Sequence, residues 1–151
     1  MKEIERKYLV DSEKWKAVVK GSGKAIQQGY IFNEDKGVLR VRIKGKKGFI
    51  TVKSKNEGMT RLEYEYEIPA QEAKELLESM CDNYISKTRY EVFMNEHMWE
   101  VDEFHGKLAP LILAEIELND EQESFQLPNF VTEEVTFDNR YYNSELIKQL
   151  S

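Results

Sequence analysis

Polar and apolar residues alternate along eight short stretches of this chain, with the two-residue period of β-strands. EIERKYLV (residues 3 to 10) is the first. AIQQGYIF, VLRVRI, FITVKS and RLEYEYEI follow, separated by turn residues at Asn33 to Gly37, Gly45 to Gly48 and Asn56 to Gly58. Links this short join antiparallel neighbours. YISKTRYEVFM, HMWEVDEF and LILAEIEL complete the eight, divided by Asn95-Glu96 and by a loop from Gly106 to Pro110. Between these stretches the period lengthens to that of a helix. Asp11 or Ser12 caps a short helix that runs to about Val19 and ends at Gly21, Ser22 and Gly23. Behind Pro69, AQEAKELLESM sets Ala73, Leu76, Leu77 and Met80 on one face, an amphipathic helix that should pack against the sheet. A last helix is expected near Asn143 or Ser144, carrying Leu146, Ile147 and Leu150. The tail before it, with Pro128 and a short aromatic stretch, is assigned no strand. No repeat or linker interrupts the pattern, so residues 1 to 151 read as one mainly β (α+β) domain.

The polar positions are charged on almost every strand. Glu3, Glu5 and Lys7 share one face of the first, Arg40, Arg42 and Lys44 of the third, and Thr51, Lys53 and Lys55 of the fourth. Arg61, Glu63, Glu65 and Glu67 follow, then Lys87, Arg89 and Glu91, Glu100 and Asp102, and finally Glu115 and Glu117. The opposite face is mainly apolar, as in Leu39, Val41 and Ile43 or Leu62, Tyr64, Tyr66 and Ile68. An open sheet with one wet face makes this pattern routinely. Two features favour a closed barrel with the charges inside. Eight strands are about the number that closes around a small ligand and leaves no edge. The charges are also grouped by sign along strands, whereas a solvated face more often scatters them as cross-strand pairs.

Charges turned inward need partners, because an unpaired buried ion costs several kcal/mol. Basic residues beside carboxylates would be neutralised together by a polyanion and a divalent cation. Carboxylates without nearby His or Cys favour Mg²⁺ or Mn²⁺ over zinc. Composition sharpens this picture. The formal net charge of -6 argues against a general nucleic-acid binder while leaving room for a local basic pocket. Cys81 is the only cysteine, which excludes an internal disulfide and a Cys-based zinc site and suits a reducing cytoplasm. No apolar run approaches the roughly 20 residues that would cross a membrane, so neither membrane nor nucleic acid is an expected partner.

The N-terminal Glu3-x-Glu5-x-Lys7, with Arg40-x-Arg42, Lys53, Lys87-x-Arg89 and Glu115-x-Glu117 in order on successive strands, closely resembles the CYTH superfamily, the triphosphate tunnel metalloenzymes. The likeness takes in Gln28-Gly29-Tyr30 and the terminal EVTFDNRYYN segment, and is greatest to short, single-domain bacterial members. It implies a closed eight-stranded antiparallel β-barrel forming a tunnel, with a few helices packed outside. It further implies metal-binding carboxylates at Glu3, Glu5, Glu115 and Glu117, with Asp102 as another acidic ligand. The implied phosphate-binding residues are Lys7, Arg40, Arg42, Lys53, Lys87 and Arg89.

The expected reaction is metal-dependent hydrolysis of a triphosphate, inorganic tripolyphosphate first, by in-line attack of water on the terminal phosphorus. Lys7, Glu63, Lys87 and Tyr30 are the catalytic candidates: Glu63 or Lys87 would orient the water, and Tyr30 would hydrogen-bond Lys87. Nucleoside or thiamine triphosphatase activity and class IV adenylyl cyclase activity are the alternatives within the resemblance. A non-catalytic polyphosphate or nucleotide binder and a purely structural sheet stand outside it. His97 and His105 are read as ordinary surface histidines, Glu121 to Glu123 and Glu133-Glu134 as solvated charge runs, and Trp15 with Leu76 and Leu77 as core. Tyr64, Tyr66 and Ile68, on the outer face, offer a homodimer interface.

Overall fold

The computed structural model describes residues 1–19 and 21–150. Eight strands close into an antiparallel barrel: β1 (Lys2–Val10), β2 (Lys24–Glu34), β3 (Gly37–Lys44), β4 (Lys47–Ser54), β5 (Thr60–Ile68), β6 (Ile85–Met94), β7 (His97–Phe104) and β8 (Ile112–Leu118). Around the barrel the order is β5, β4, β3, β2, β6, β7, β8, β1 and back to β5. The expected closure is therefore present. Its seam is short. β1 and β5 share only the pairs Lys2 with Leu62, Glu3 with Arg61 and Ile4 with Thr60. Backbone bonds from Glu63 to Met1 and from Glu5 to Met59 extend it.

A ninth strand, β9 (Val131–Glu134), takes over the edge of β1 that β5 leaves. The sequence reading missed it. Four residues are too few to display a period, and the pairing is fixed from outside the segment. Arg6 on β1 forks onto Glu134 at 2.6 and 2.9 Å, and Thr136 also donates to Glu134. Glu134 is thus a specific anchor and not the solvated charge that the Glu133-Glu134 run suggests. Glu123 is likewise engaged, by His97 and by the Asn119 amide.

Because the barrel interior is polar, the apolar core lies mostly outside it. Helix α1 (Ser12–Val18), capped by Asp11 accepting from the Lys14 amide, drives Trp15 fully out of water against Tyr90 and Phe130. That cluster continues through Tyr8, Trp99, Val101, Ile116 and Leu118, the outward residues of β1, β7 and β8. Helix α2 (Ala70–Met80) buries Ala73 and Leu77 against Val41, Ile43, Ile50 and Ile68. Cys81 packs at the edge of the same cluster, as a small core residue would. Tyr64 and Tyr66 remain exposed beside Phe32, Val52 and Leu62. Among the described residues no helix is long and apolar enough to cross a membrane.

One end of the barrel departs from the charged alternation. The inward residues Leu9, Ile85, Phe104 and Leu113 continue the faces that carry Lys7, Lys87, Asp102 and Glu115, but they are apolar. Helix α3 (Asn143–Leu146) and the 3₁₀ turn Ile147–Leu150 pack Leu146, Ile147 and Leu150 onto them with Val135. The charged lumen therefore rests on an apolar floor sealed by the C-terminal segment.

Gly48 on β4 is what allows α2 to lie close. A Cβ there would stand 2.7 Å from the Ala73 methyl and 3.0 Å from the Ile68 carbonyl oxygen. Gly48→Val should cost about 1–3 kcal/mol by overpacking, read as a lower urea midpoint with the slope unchanged. A variant as stable as the parent would contradict this account of α2 docking.

Candidate active site

The strand alternation brings the inward charges together around a cavity of about 240 Å³. Eight basic side chains line it: Lys7, Arg40, Arg42, Lys44, Lys53, Arg61, Lys87 and Arg89. Seven carboxylates face them: Glu3, Glu5, Glu63, Glu65, Glu100, Glu115 and Glu117. Val38, Tyr30 and Tyr142 are the only residues there with an apolar or aromatic body.

The basic side is incompletely neutralised. Arg40 and Arg42 both donate to a single oxygen of Glu65, at 3.3 and 3.2 Å. Thr51 occupies the same oxygen at 2.8 Å. The buried Nε of each arginine has no partner. Burial, and then the neighbouring Arg40 and Arg89, push Arg42 down to about 10. Burial and like charge both work against the charged guanidinium there, and Glu65 and Glu100 offset only part of that. An anion with several oxygens would neutralise Arg40 and Arg42 together.

The acidic side is crowded in the opposite sense. Burial, then Glu115 and Glu3, push the Glu5 carboxyl up to about 8. Burial also opposes ionisation of Glu115, but Lys7, Arg89, a hydrogen bond from Glu5 and Lys87 together hold it well below the usual carboxylate range. One proton thus sits on Glu5 and bridges the pair. Glu117 is raised by burial and by Glu3 and Glu100. Glu3 is held low, against its burial, by Lys53 at 3.2 Å, by a hydrogen bond from Glu63 and by Arg61 at 3.3 Å. Among the described residues no three acids stand in preformed ligating geometry. A divalent cation displaces a proton such as that on Glu5 and suits this all-oxygen donor set.

Asp102 differs from the other acids. It is 1% exposed and lies behind the wall, outside the cavity lining. Arg89 forks onto both its oxygens at 2.7 and 2.9 Å, and Lys87 reaches it at 2.8 Å. Against the effect of burial, Arg89 and then Lys87 hold it at about 2. It thus anchors the two basic residues and stands apart from Glu3, Glu5, Glu115 and Glu117, the cavity-lining carboxylates with which the sequence reading grouped it as a metal ligand.

Burial and the neighbouring Arg89 lower Lys87 to about 8 even though Asp102 opposes the shift. Its second hydrogen-bond partner is Asn143, at 3.0 Å, and not Tyr30 as expected. Tyr30 lines the cavity but forms no hydrogen bond to Lys87. Lys7 donates to the Tyr141 carbonyl at 3.1 Å and pairs with Glu115 at 3.6 Å. Burial works against its charge, but Glu115 and Glu5 prevail and raise it. Glu63 pairs with Lys53 at 3.0 Å and is raised by burial and by its hydrogen bond to Glu3.

Lys44, Arg61 and Glu100 stand on the charged face, where the alternation places them, although no motif marks them. Tyr142, Asn143 and Ser144 come from the tail, which has no period to follow. His97 and His105 lie apart from the cavity, bonded to Glu123 and Thr88.

A closed antiparallel barrel with a mixed-charge lumen, short of anions on one wall and of cations on the other, is the architecture of a protein that binds a polyanion together with a metal. The CYTH domain profile matches residues 1–148, and the chain belongs to that family. An inorganic triphosphatase of Acetivibrio thermocellus is 47% identical over 148 residues, covering 97% of this chain and 94% of that one. One from Nitrosomonas europaea is 36% identical over 152 residues, with 97% of each covered. A crystal structure of an inorganic triphosphatase superposes with a TM-score of 0.65 at 33% identity, covering 96% of this chain and 93% of that one. A Bacillus halodurans structure shares the fold, with a TM-score of 0.66 at 22% identity over 80% of this chain and 83% of its own.

The Glu5 proton has a measurable consequence. The folded chain keeps, up to about pH 8, a proton that the unfolded chain loses near 4.5. Metal-free stability should therefore fall as pH rises through that window. In Glu5→Gln the fall should shrink and the melting temperature at pH 8 should exceed the parent's. A parent whose melting temperature climbs steadily from pH 5 to 8 would contradict the shared proton.

Proposed function

We propose that the chain is a divalent-metal-dependent triphosphatase that hydrolyses inorganic tripolyphosphate in the barrel lumen. The observation that carries this reading is the cavity wall itself, charged almost throughout, where eight basic side chains face seven carboxylates and only Val38, Tyr30 and Tyr142 bring an apolar or aromatic body. The two curated relatives are inorganic triphosphatases across nearly their whole lengths, which supports the same substrate.

Glu5, Glu115 and Glu117, with Glu3 beside them, would hold the cation, Mg²⁺ or Mn²⁺ by their oxygen chemistry. When bound, it supplies Lewis-acid stabilisation of charge on phosphate oxygens. Arg40, Arg42 and Arg89 clamp the phosphate chain through guanidinium forks, and Lys7, Lys53 and Lys87 add point charges. Asp102 keeps Arg89 and Lys87 from collapsing away from the lumen. Glu63, half-buried and paired with Lys53 at 3.0 Å, accepts a hydrogen bond from the attacking water. Little covalent chemistry is asked of the protein, because phosphoryl transfer depends chiefly on positioning and charge neutralisation.

Glu117→Gln should fold normally and lose at least about a hundredfold in metal-dependent turnover, the size seen when a positioned electrostatic group is removed. Wild-type turnover in that variant would remove Glu117 from the metal set. A panel of tripolyphosphate, ATP and thiamine triphosphate, with orthophosphate and cyclic AMP both measured, tests the substrate. Orthophosphate release should be fastest from tripolyphosphate. Cyclic AMP from ATP without phosphate release from tripolyphosphate would establish a cyclase instead.

A further inference from the structure

Lys87 enters the cavity from β6 with its ammonium already held on two sides. It donates to Asp102 Oδ2 at 2.8 Å and to Asn143 Oδ1 at 3.0 Å. An ammonium only donates, so the Asn143 atom that faces it has to be the carbonyl oxygen. Gln28, wholly buried on β2, turns its Nε2 to the same oxygen at 3.1 Å. Flipping the Asn143 amide would set donor against donor at Lys87, so one orientation is selected by the network. With Oδ1 committed to the wall, the amide nitrogen occupies the other side of the carboxamide. Nδ2 has no protein partner among the described residues and is not sealed from solvent, and Asn143 lines the cavity.

The backbone around it is pinned as well. The Tyr141 carbonyl accepts from Lys7 at 3.1 Å, and the Ser144 carbonyl accepts from Asn33 Nδ2 at 2.7 Å. An aspartate at 143 would satisfy Lys87 and Gln28 equally well through its oxygens. It would also face the lumen with negative charge, whereas the amide faces it with a neutral donor.

We propose that Asn143 is a further phosphate-binding residue, whose NH₂ group, aimed by Lys87 and Gln28, donates to a non-bridging phosphoryl oxygen of the substrate. The inference rests on the triphosphate reading of the cavity and adds to it a donor from the C-terminal segment. Lys87 keeps one N–H after its two wall contacts, so the lysine and the amide present adjacent donors to the same end of the phosphate chain. Substrate binding thereby draws on the tail as well as on the strands.

Binding of tripolyphosphate measured calorimetrically without added metal, where turnover does not interfere, tests it. Asn143→Ala should weaken binding about tenfold, as loss of one hydrogen bond to a charged acceptor does. Asn143→Asp should weaken it further while its unliganded melting temperature stays near the parent's, because Lys87 and Gln28 keep their acceptor. In a Lys87→Ala background, Asn143→Ala should still cost several-fold. Binding by Asn143→Ala within twofold of the parent overturns the proposal, as does a loss that vanishes in the Lys87→Ala background, which would make Asn143 a support for Lys87 alone. Should Asn143→Ala loosen the tail and fail to fold, Asn143→Asp decides, and binding as tight as the parent's overturns the proposal. A parent chain that binds no tripolyphosphate either with or without a divalent cation overturns the triphosphate reading itself, and this inference with it.

Discussion

The structure depends on keeping ionised side chains of both signs inside a closed barrel. Taking a carboxylate or guanidinium out of water costs several kcal/mol even after relaxation, and only close partners offset it. Where partners are complete, as at Asp102 with Arg89 and Lys87, the charges act as fixed struts. Where they are incomplete, the protein shows the deficit in its proton chemistry. Glu5 keeps a proton at neutral pH, and burial with the neighbouring Arg40 and Arg89 weakens the hold of Arg42 on its charge without removing it. Those two sites lie on opposite signs of the same imbalance. A cation beside the first and an anion beside the second would remove both, so the unliganded lumen is poised for a metal and a phosphate chain together.

Holding such a lumen open requires that the apolar core lie elsewhere. The outer barrel surface provides it, under α1 and the aromatic residues Phe125 and Phe130 on one side and under α2 on the other. The inner face gathers its apolar cluster at the floor, where Ile85, Phe104 and Leu113 meet the C-terminal helix. Lys87 stands at the boundary, its ammonium 5.4 Å from the centre of the Phe104 ring and its other side toward the cavity. That position accounts for its lowered proton affinity: the floor removes water from one half of its surroundings, and Asp102 restores only part of what is lost.

The barrel seam shows that the same charges also serve closure. β1 and β5 meet over three residue pairs, fewer than any other neighbouring strands of the barrel. Inside that seam Lys53 and Arg61 converge on Glu3. The first strand therefore supplies Glu3 to the closure of the sheet, Glu5 to the acidic pair and Lys7 to the tail, three different tasks from three successive inward positions.

The alternation of charge along eight segments was enough to give the strands and the charged face that turns inward, and the short links made consecutive strands antiparallel neighbours, because the side-chain period of a strand is local and needs no knowledge of its partners. It also placed Lys44, Arg61 and Glu100 on the lumen face, although no motif set them apart. What it left open are matters of pairing. β9 exists because β1 has an edge to offer at Tyr8 and Val10, and the tail closes the floor because apolar residues from four strands happen to converge there. Asp102 belongs to the charged face as surely as Glu115 does, and only its neighbours across β6 turn one into a strut and leave the other in the cavity. Asn143 carries no periodic signal at all; its amide is oriented by a lysine 56 residues away and a glutamine 115 residues away. The sequence thus determined which side chains face inward, while tertiary structure decided which of them neutralise one another, since that depends on distances no local period encodes.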